Sequence, residues 1–390
     1  MTHPTDFTVP ETEDFDSPHK LFADLRSHCP VAWTEDLGGF WAVTKHADAR
    51  EVLEDWQRFT TRIQNVVPPV ATTQRRPPLH LDPPHNMPYR NAILRFLTPK
   101  RLAEWQPQIE VMVAQFLDPF IAAGGGDICE DFSFKLPIAL LAEFFNLPPD
   151  DAERIRVVGA EFNMALQRQD MDLLRDRSDE LYRIAGDLIA DRKRNPRDPD
   201  TDPTASLLAI EVEGEALADS LVLGALRQFL LVGIIAPTTF IGSLAVHLAR
   251  HPEHHAELRD TPDLVPTALE ELLRLYTPYR GFARTATRDT TIGGCPVKQG
   301  DPVAIVFTSA NRDAEVFPDP DTYRLDREAR DLLTFGRGAH MCPGAPLARL
   351  MLVEVLRQLT AKTTVLELAG DLEMTRWPEY GPLKVPLRLG

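Results

Sequence analysis

Residues 335 to 344 read FGRGAHMCPG, and the one cysteine in that run, Cys342, has the setting of a reactive or metal-binding sulfur. Gly336 and Gly338 allow backbone conformations closed to other residues, so the approach to Cys342 can turn tightly and aim N–H groups inward. Pro343 suits a first helical position, and the APLARLMLVEVLRQL that follows keeps helical spacing. Cys342 is thereby expected at the positive end of a helix, where a thiol pKa falls. A sulfur so placed serves as a nucleophile, with His340 the nearest base in sequence, or as a metal ligand. Cys29, Cys129 and Cys295 lie far apart, form no CxxC pair, and read as small buried hydrophobes.

Phe335, Gly338, Cys342 and Gly344 together resemble the F-x-x-G-x-x-x-C-x-G heme-binding signature of the cytochrome P-450 family. The resemblance implies heme b held by Cys342 as thiolate ligand to the iron, a ligation that favours O–O cleavage. It also gives meaning to residues that are unremarkable alone. Glu271 and Arg274, in ALEELLRLYTP, are by spacing an ordinary i,i+3 helix pair. In the family such a pair, with a later arginine, locks the core beneath the cofactor, and Arg327 is the implied third member.

Two heme propionates need cationic or hydrogen-bonding partners, because a buried unpaired carboxylate is costly. The segment DPPHNMPYRNAI is similar to the family's D-P-P-x-H-x-x-x-R run and puts Arg90 on the arginine position. Asn86 stands where the family has histidine, and His85 falls one place early. Arg284, in GFARTATRD, and His340, two residues before the cysteine, match further propionate contacts. The resemblance runs from the first hairpin to YGPLKVPLRLG, nearly the whole chain.

One departure stands out. The apolar segment 218 to 250 is similar to the family's central helix over the heme, where a small-Gly-x-acid-Thr run activates dioxygen. Here the run reads Ile234-Ile235-Ala236-Pro237-Thr238-Thr239, so Thr238 takes the alcohol position and Pro237 replaces the acid. A proline inside a helix removes a donor and clashes with the previous turn, so a kink is expected there.

A mostly apolar pocket is expected from Ile234, Ile235, Phe282, Val67, Phe162, Met164 and Tyr380, with Val66, Val70 and Leu81 in the irregular segment 65 to 88. A small hydrophobic substrate follows, with O2 as co-substrate. No flavin or iron–sulfur segment is apparent, so electrons are expected from a separate ferredoxin-type donor and its reductase. Arg337, Arg349 and Arg357 are candidates to receive it.

The elements that must position these groups are mostly helical. Helical spacing recurs in AEWQPQIEVMVAQFLDPFIAA, DELYRIAGDLIADRKR and LVLGALRQFLLVGIIAPTTFIGSLAVHLARH. Short strands are expected in VAWTEDLGGFWAVT, TTIGGCPVKQGDPVAIVF and PLKVPLRL. The reading is a mainly α fold with a minor β region, one P-450 domain over residues 1–390. With 42 basic against 58 acidic side chains, the net charge of −16 disfavours nucleic acid and anionic lipid as partners. No secretory signal is evident in the polar, acidic start, and a cytoplasmic location without membrane attachment is expected. Three functions fit: a monooxygenase that hydroxylates or oxidatively dealkylates its substrate, a peroxide-driven peroxygenase, and a noncatalytic heme-thiolate sensor.

Overall fold

A computed structural model describes residues 5–10, 14–69, 74–168 and 170–390. Val70 lies outside the described residues. Helices dominate: α1 (His46–Glu54), α2 (Met87–Leu94), α3 (Pro99–Ala122), α4 (Lys135–Phe144), α5 (Pro149–Arg168), α6 (Met171–Arg194), α7 (Asp219–Arg250), α8 (Val265–Leu275) and α9 (Ala345–Lys362). Several have a sequence reason to begin where they do. Thr98 caps α3 by accepting from the Arg101 N–H, Asp170 caps α6 from the Leu173 N–H, and prolines occupy the first turns of α2, α3, α8 and α9.

The organising element is α7, 32 residues long and apolar on nearly every face. A helix hydrophobic all round must be buried, and although α7 is long and apolar enough to cross a bilayer, its most apolar window is 78% buried inside the protein. Helices α4, α5, α6 and α9 pack on it. Close approach is possible where side chains are small: a Cβ on Gly242 would lie 2.8 Å from Pro382 and 3.1 Å from the Cys129 sulfur. The expected kink at Pro237 does not interrupt α7, which runs from Asp219 to Arg250 as one helix.

The expected hairpin is present: β1 (Val31–Thr34) pairs antiparallel with β2 (Phe40–Val43), with Val31 opposite Val43. They join β3 (Phe59–Thr60), β4 (Gly281–Ala286) and β5 (Pro302–Val306) in one sheet of order β1-β2-β5-β4-β3. This sheet sets Arg284 on β4 opposite Val303 and, through β3, carries Thr60 alongside Thr285. A smaller sheet ties the closing strand Pro386–Leu389 to Leu366–Leu368 and Gly125–Asp127.

Candidate active site

The loop around Cys342 is shaped by its glycines. Gly336 and Gly338 have φ of 70° and 69°, the left-handed region that favours glycine. At Gly338 a second constraint applies, since a Cβ there would sit 2.8 Å from the Leu53 carbonyl oxygen and 3.2 Å from the Glu54 Cα, in the last turn of α1. The Cys342 N–H donates to the Phe335 carbonyl at 2.8 Å and closes the turn. Phe335 is clamped by Arg349, whose guanidinium lies 4.4 Å from the ring centroid.

One sequence expectation needs correction here. Pro343 is not the first helical residue; α9 begins at Ala345 after Gly344, with Pro346 in its first turn. Burial pushes the Cys342 thiol above its usual pKa, against the opposing influence of the Gly344 and Ala345 N–H groups and the positive charges of Arg90 and Arg349. Cys342 retains accessible surface. A Cβ at Gly344 would come to ordinary contact with the sulfur, at 3.8 Å.

Around the loop stand most of the expected basic groups. Arg90, on α2, donates to the Met341 carbonyl at 2.8 Å. Arg284 is 5% exposed, and its one described acceptor is the Ala283 carbonyl at 2.9 Å. Burial lowers it to about 10, so it stays charged at neutral pH. His340 lies 3.3 Å from an oxygen of Asp82 and 3.4 Å from the Thr61 hydroxyl. Burial lowers its pKa, and the Asp82 hydrogen bond opposes that. Asn86 is fully buried and its amide donates to the Ala339 carbonyl at 3.4 Å, leaving its Oδ1 without a partner. His85 is the exception, for it is exposed and makes none of the described hydrogen bonds.

Asp82 was not singled out by sequence reasoning. It accepts from the hydroxyls of Thr60 and Thr61, and despite its burial these bonds and the one from His340 hold its carboxyl below the usual range. The signal was the pair of prolines after it, which marks a fixed turn rather than a mobile loop.

Behind the loop, Glu271 and Arg274 form a buried fork, Nε to Oε2 and Nη2 to Oε1, both at 2.7 Å. Arg327 adds its Nε to Glu271 Oε1 at 3.2 Å, and the Arg324 N–H reaches the same oxygen at 3.0 Å. Arg274 also donates to the carbonyls of Asn311 and Pro320 at 3.0 and 2.6 Å. One arginine thus ties α8 to the segment leading to the cysteine loop.

On α7 the structure does not give Thr238 the expected presentation. Its side chain is fully buried, and its hydroxyl is directed at the carbonyls of Ile234 (2.8 Å) and Ser133 (3.1 Å). The side chains of mid-α7 that keep accessible surface form a different stripe, Val232, Gly233, Ala236 and Pro237, spaced as one face of a helix. The run of residues therefore misled: the alcohol is retained in sequence but turned onto the packing side.

Several expected pocket residues are core. Tyr380 is fully buried, its hydroxyl bonded to His19 and to the Phe15 carbonyl, both at 2.8 Å. Val67, 1% exposed, packs beside Trp377, whose indole N–H donates to the Val67 carbonyl. Ile234 lies against Gly159 of α5, and Ile235 is 6% exposed. Phe282 packs at a tilt against Tyr279 with centroids 4.4 Å apart. Phe162 sits in a cluster with Val158, Leu174 and Leu231 between α5, α6 and α7. Met164, in contrast, is 40% exposed. The arginines expected to receive an electron donor are already paired, Arg337 with Glu54, Arg349 with Glu270 and Arg357 with Glu354. Cys129 is fully buried, with its sulfur 3.6 Å from the Pro382 carbonyl, and burial raises its pKa.

A donor set of one soft sulfur, with the half-buried Arg90 and the buried Arg284 nearby, suits an iron porphyrin bearing two carboxylates. Fold and site together define a heme-thiolate protein. Comparison with known proteins agrees. Residues 243–363 match the family model Cytochrome P450. The chain is 33% identical to nocardicin C N-oxygenase of Nocardia uniformis subsp. tsuyamanensis over 384 residues, 95% of this chain and 94% of that one. It is 31% identical to erythromycin C-12 hydroxylase of Saccharopolyspora erythraea, over 90% of this chain and 88% of that one. A Mycobacterium marinum cytochrome P450, CYP268A2, solved in complex with pseudoionone, superposes with a TM-score of 0.89 at 26% identity, covering 99% of each chain. The chain belongs to the cytochrome P450 family. It is a heme b-dependent monooxygenase of the bacterial kind, which uses O2, a redox partner and a small-molecule ligand.

Proposed function

We propose that Cys342 is the axial ligand and that the enzyme, as one domain over residues 1–390, oxygenates a small organic substrate with a largely apolar body by hydroxylation or oxidative dealkylation. A separate ferredoxin-type protein and its reductase supply the electrons, and the enzyme works in the cytoplasm. The observation that carries this reading is the glycine-turned loop, closed by the Cys342 N–H on the Phe335 carbonyl, that sets one sulfur next to the Met341 carbonyl held by Arg90. When bound, heme with thiolate ligation supplies the power to split O–O and oxidise an unactivated C–H bond.

The chain's own residues have distinct tasks. The Gly344 and Ala345 N–H groups and the charge of Arg90 stabilise the sulfur as an anion, the form a metal requires. Arg284 and Arg90 are the partners for the propionates, with Asn86 and His340 beside them. Asp82 fixes the His340 ring, and the Glu271–Arg274–Arg327 lock holds the segment that ends in the cysteine loop. The test is the reduced, carbon monoxide-bound spectrum: a red-shifted Soret band marks a thiolate donor, and the band must vanish in C342A. A normal band in C342A overturns the assignment.

The peroxide-driven reading gains one specific support. With Pro237 in place of the acid and the Thr238 hydroxyl on the Ser133 carbonyl, no side-chain proton donor lies on the accessible stripe of α7. Turnover with hydrogen peroxide alone at a rate matching that with reduced ferredoxin selects it; dependence on ferredoxin, NAD(P)H and O2 selects the monooxygenase cycle.

A further inference from the structure

A lone arginine interrupts the apolar sequence LGALRQFLL of α7. Arg227 is 0% exposed, yet neither its Nε nor its Nη1 has a hydrogen-bond partner. Its Nη2 donates to the Ser178 hydroxyl at 3.1 Å, and its guanidinium lies 5.2 Å from the Phe162 centroid and 5.6 Å from that of Tyr182. None of the described salt bridges includes it. A second buried arginine is close enough to repel it: Arg76, 6% exposed, whose Nε is also unpartnered. Burial first, and then Arg76, lower Arg227 to about 9, so it remains a cation at neutral pH, and burial lowers Arg76 as well.

The arrangement is built in. A Cβ at Gly224, one turn before Arg227, would lie 2.1 Å from the Arg75 carbonyl oxygen, so only glycine lets the Arg75–Arg76 backbone rest on α7 at this point. Arg76 in turn reaches His80 at 3.2 Å, and His80 reaches Asn65 at 3.0 Å. These residues line a cavity of about 210 Å³ whose described wall includes Arg62, Arg75 and Arg76 and no aspartate or glutamate. The Tyr182 hydroxyl, shared neighbour of both arginines, is buried without a partner as well. Four buried donor atoms, two of them on the Arg227 guanidinium, therefore lie near one another with no anion among the described partners, and Arg76, which carries one of them, lines the cavity. Burying an unpaired cation is expensive unless a ligand completes it.

We propose that Arg76 and Arg227 bind a carboxylate of the substrate, so that the enzyme acts on an organic acid whose apolar body lies along Phe162 and Leu231 of the neighbouring cluster. This deepens the proposed function and rests on it only for the statement that the bound acid is the substrate. A charge-assisted hydrogen bond in a desolvated site is a strong recognition element, and a neutral analogue leaves the donors unpaired.

The experiment is calorimetric titration of the heme-loaded enzyme with dodecanoate and with dodecan-1-ol. The acid is expected to bind at least about tenfold more tightly. R227Q and R76Q are expected to bring the ratio within about twofold, while R227K, which keeps the charge, retains most of it. Equal affinities in the unaltered enzyme, or an undiminished preference in both glutamine variants, overturn the proposal. The comparison of the two probes on unaltered enzyme stands even where a variant fails to fold. A normal carbon monoxide spectrum without acid preference refutes this inference alone, whereas a missing thiolate band strikes the assignment of Cys342.

Discussion

Two glycines, six and four residues before Cys342, offer an unusually clean comparison, because they differ in one respect only. Gly336 and Gly338 share nearly the same left-handed φ, 70° and 69°. Alanine at either position must adopt that conformation at a cost of about 1–2 kcal/mol. At Gly336 the added methyl meets nothing nearer than 3.9 Å, so strain is the whole effect. At Gly338 it meets the Leu53 carbonyl oxygen at 2.8 Å and the Glu54 Cα at 3.2 Å. Both are backbone atoms of a helix and cannot swing aside, so overpacking adds about 1–3 kcal/mol and the total is roughly 2–5 kcal/mol. The structure can relieve this only by moving the loop off α1, which also moves Cys342. G336A is therefore expected to retain the thiolate-type carbon monoxide spectrum with a modest drop in urea midpoint. G338A is expected to lose heme occupancy and to shift the remaining band toward the position of a non-thiolate donor. Absorbance per protein across the Soret region, with urea titration followed by circular dichroism, reads both quantities. Equal behaviour of the two variants would refute the claim that the α1 contact, rather than φ, fixes the loop.

Three other outcomes follow from contacts described above. E271A leaves the 1%-exposed Arg274 and its neighbour Arg327 without their carboxylate, and should cost about 3–5 kcal/mol in urea unfolding; a loss under about 0.5 kcal/mol contradicts the lock. C129A should leave the carbon monoxide band intact and cost about 1–2 kcal/mol, because that buried thiol contributes packing and one weak bond to the Pro382 carbonyl; loss of the band would transfer the ligand role to it. Stability should fall on acidification: burial holds His80 at about 4 and His247 at about 3, below the ordinary 6.5. The unfolded chain therefore binds more protons between these values, and stability fully present above pH 6.5 drains away as pH falls toward 4 and then 3. Urea midpoints between about pH 8 and pH 4 check this, with H80Q expected to flatten the profile; a midpoint that holds or rises on acidification is the contrary result.

Much of the molecule was determined locally. The loop FGRGAHMCPG needs its glycines for backbone reasons that any reader of the chain can see, and the helix and hairpin periods are set by burial of alternate or every-third-or-fourth residues. The Glu271–Arg274 pair was also legible, because a fork three residues apart on a helix can meet without help from the rest of the fold. What the sequence could not decide is direction. A threonine on α7 looks the same whether it faces an opening or a carbonyl of the next segment, and only the packing of that helix turned Thr238 onto Ser133. The same holds for Tyr380 and Val67, whose apolar character fits pocket and core alike. Partnering over long range is the other gap. Asp82 meets His340 across 258 positions, and Arg227 meets Arg76 only because Gly224 admits the intervening backbone. Composition and spacing choose which groups can be reactive; the tertiary structure chooses which are left without a partner, since burial and pairing are properties of the assembled core.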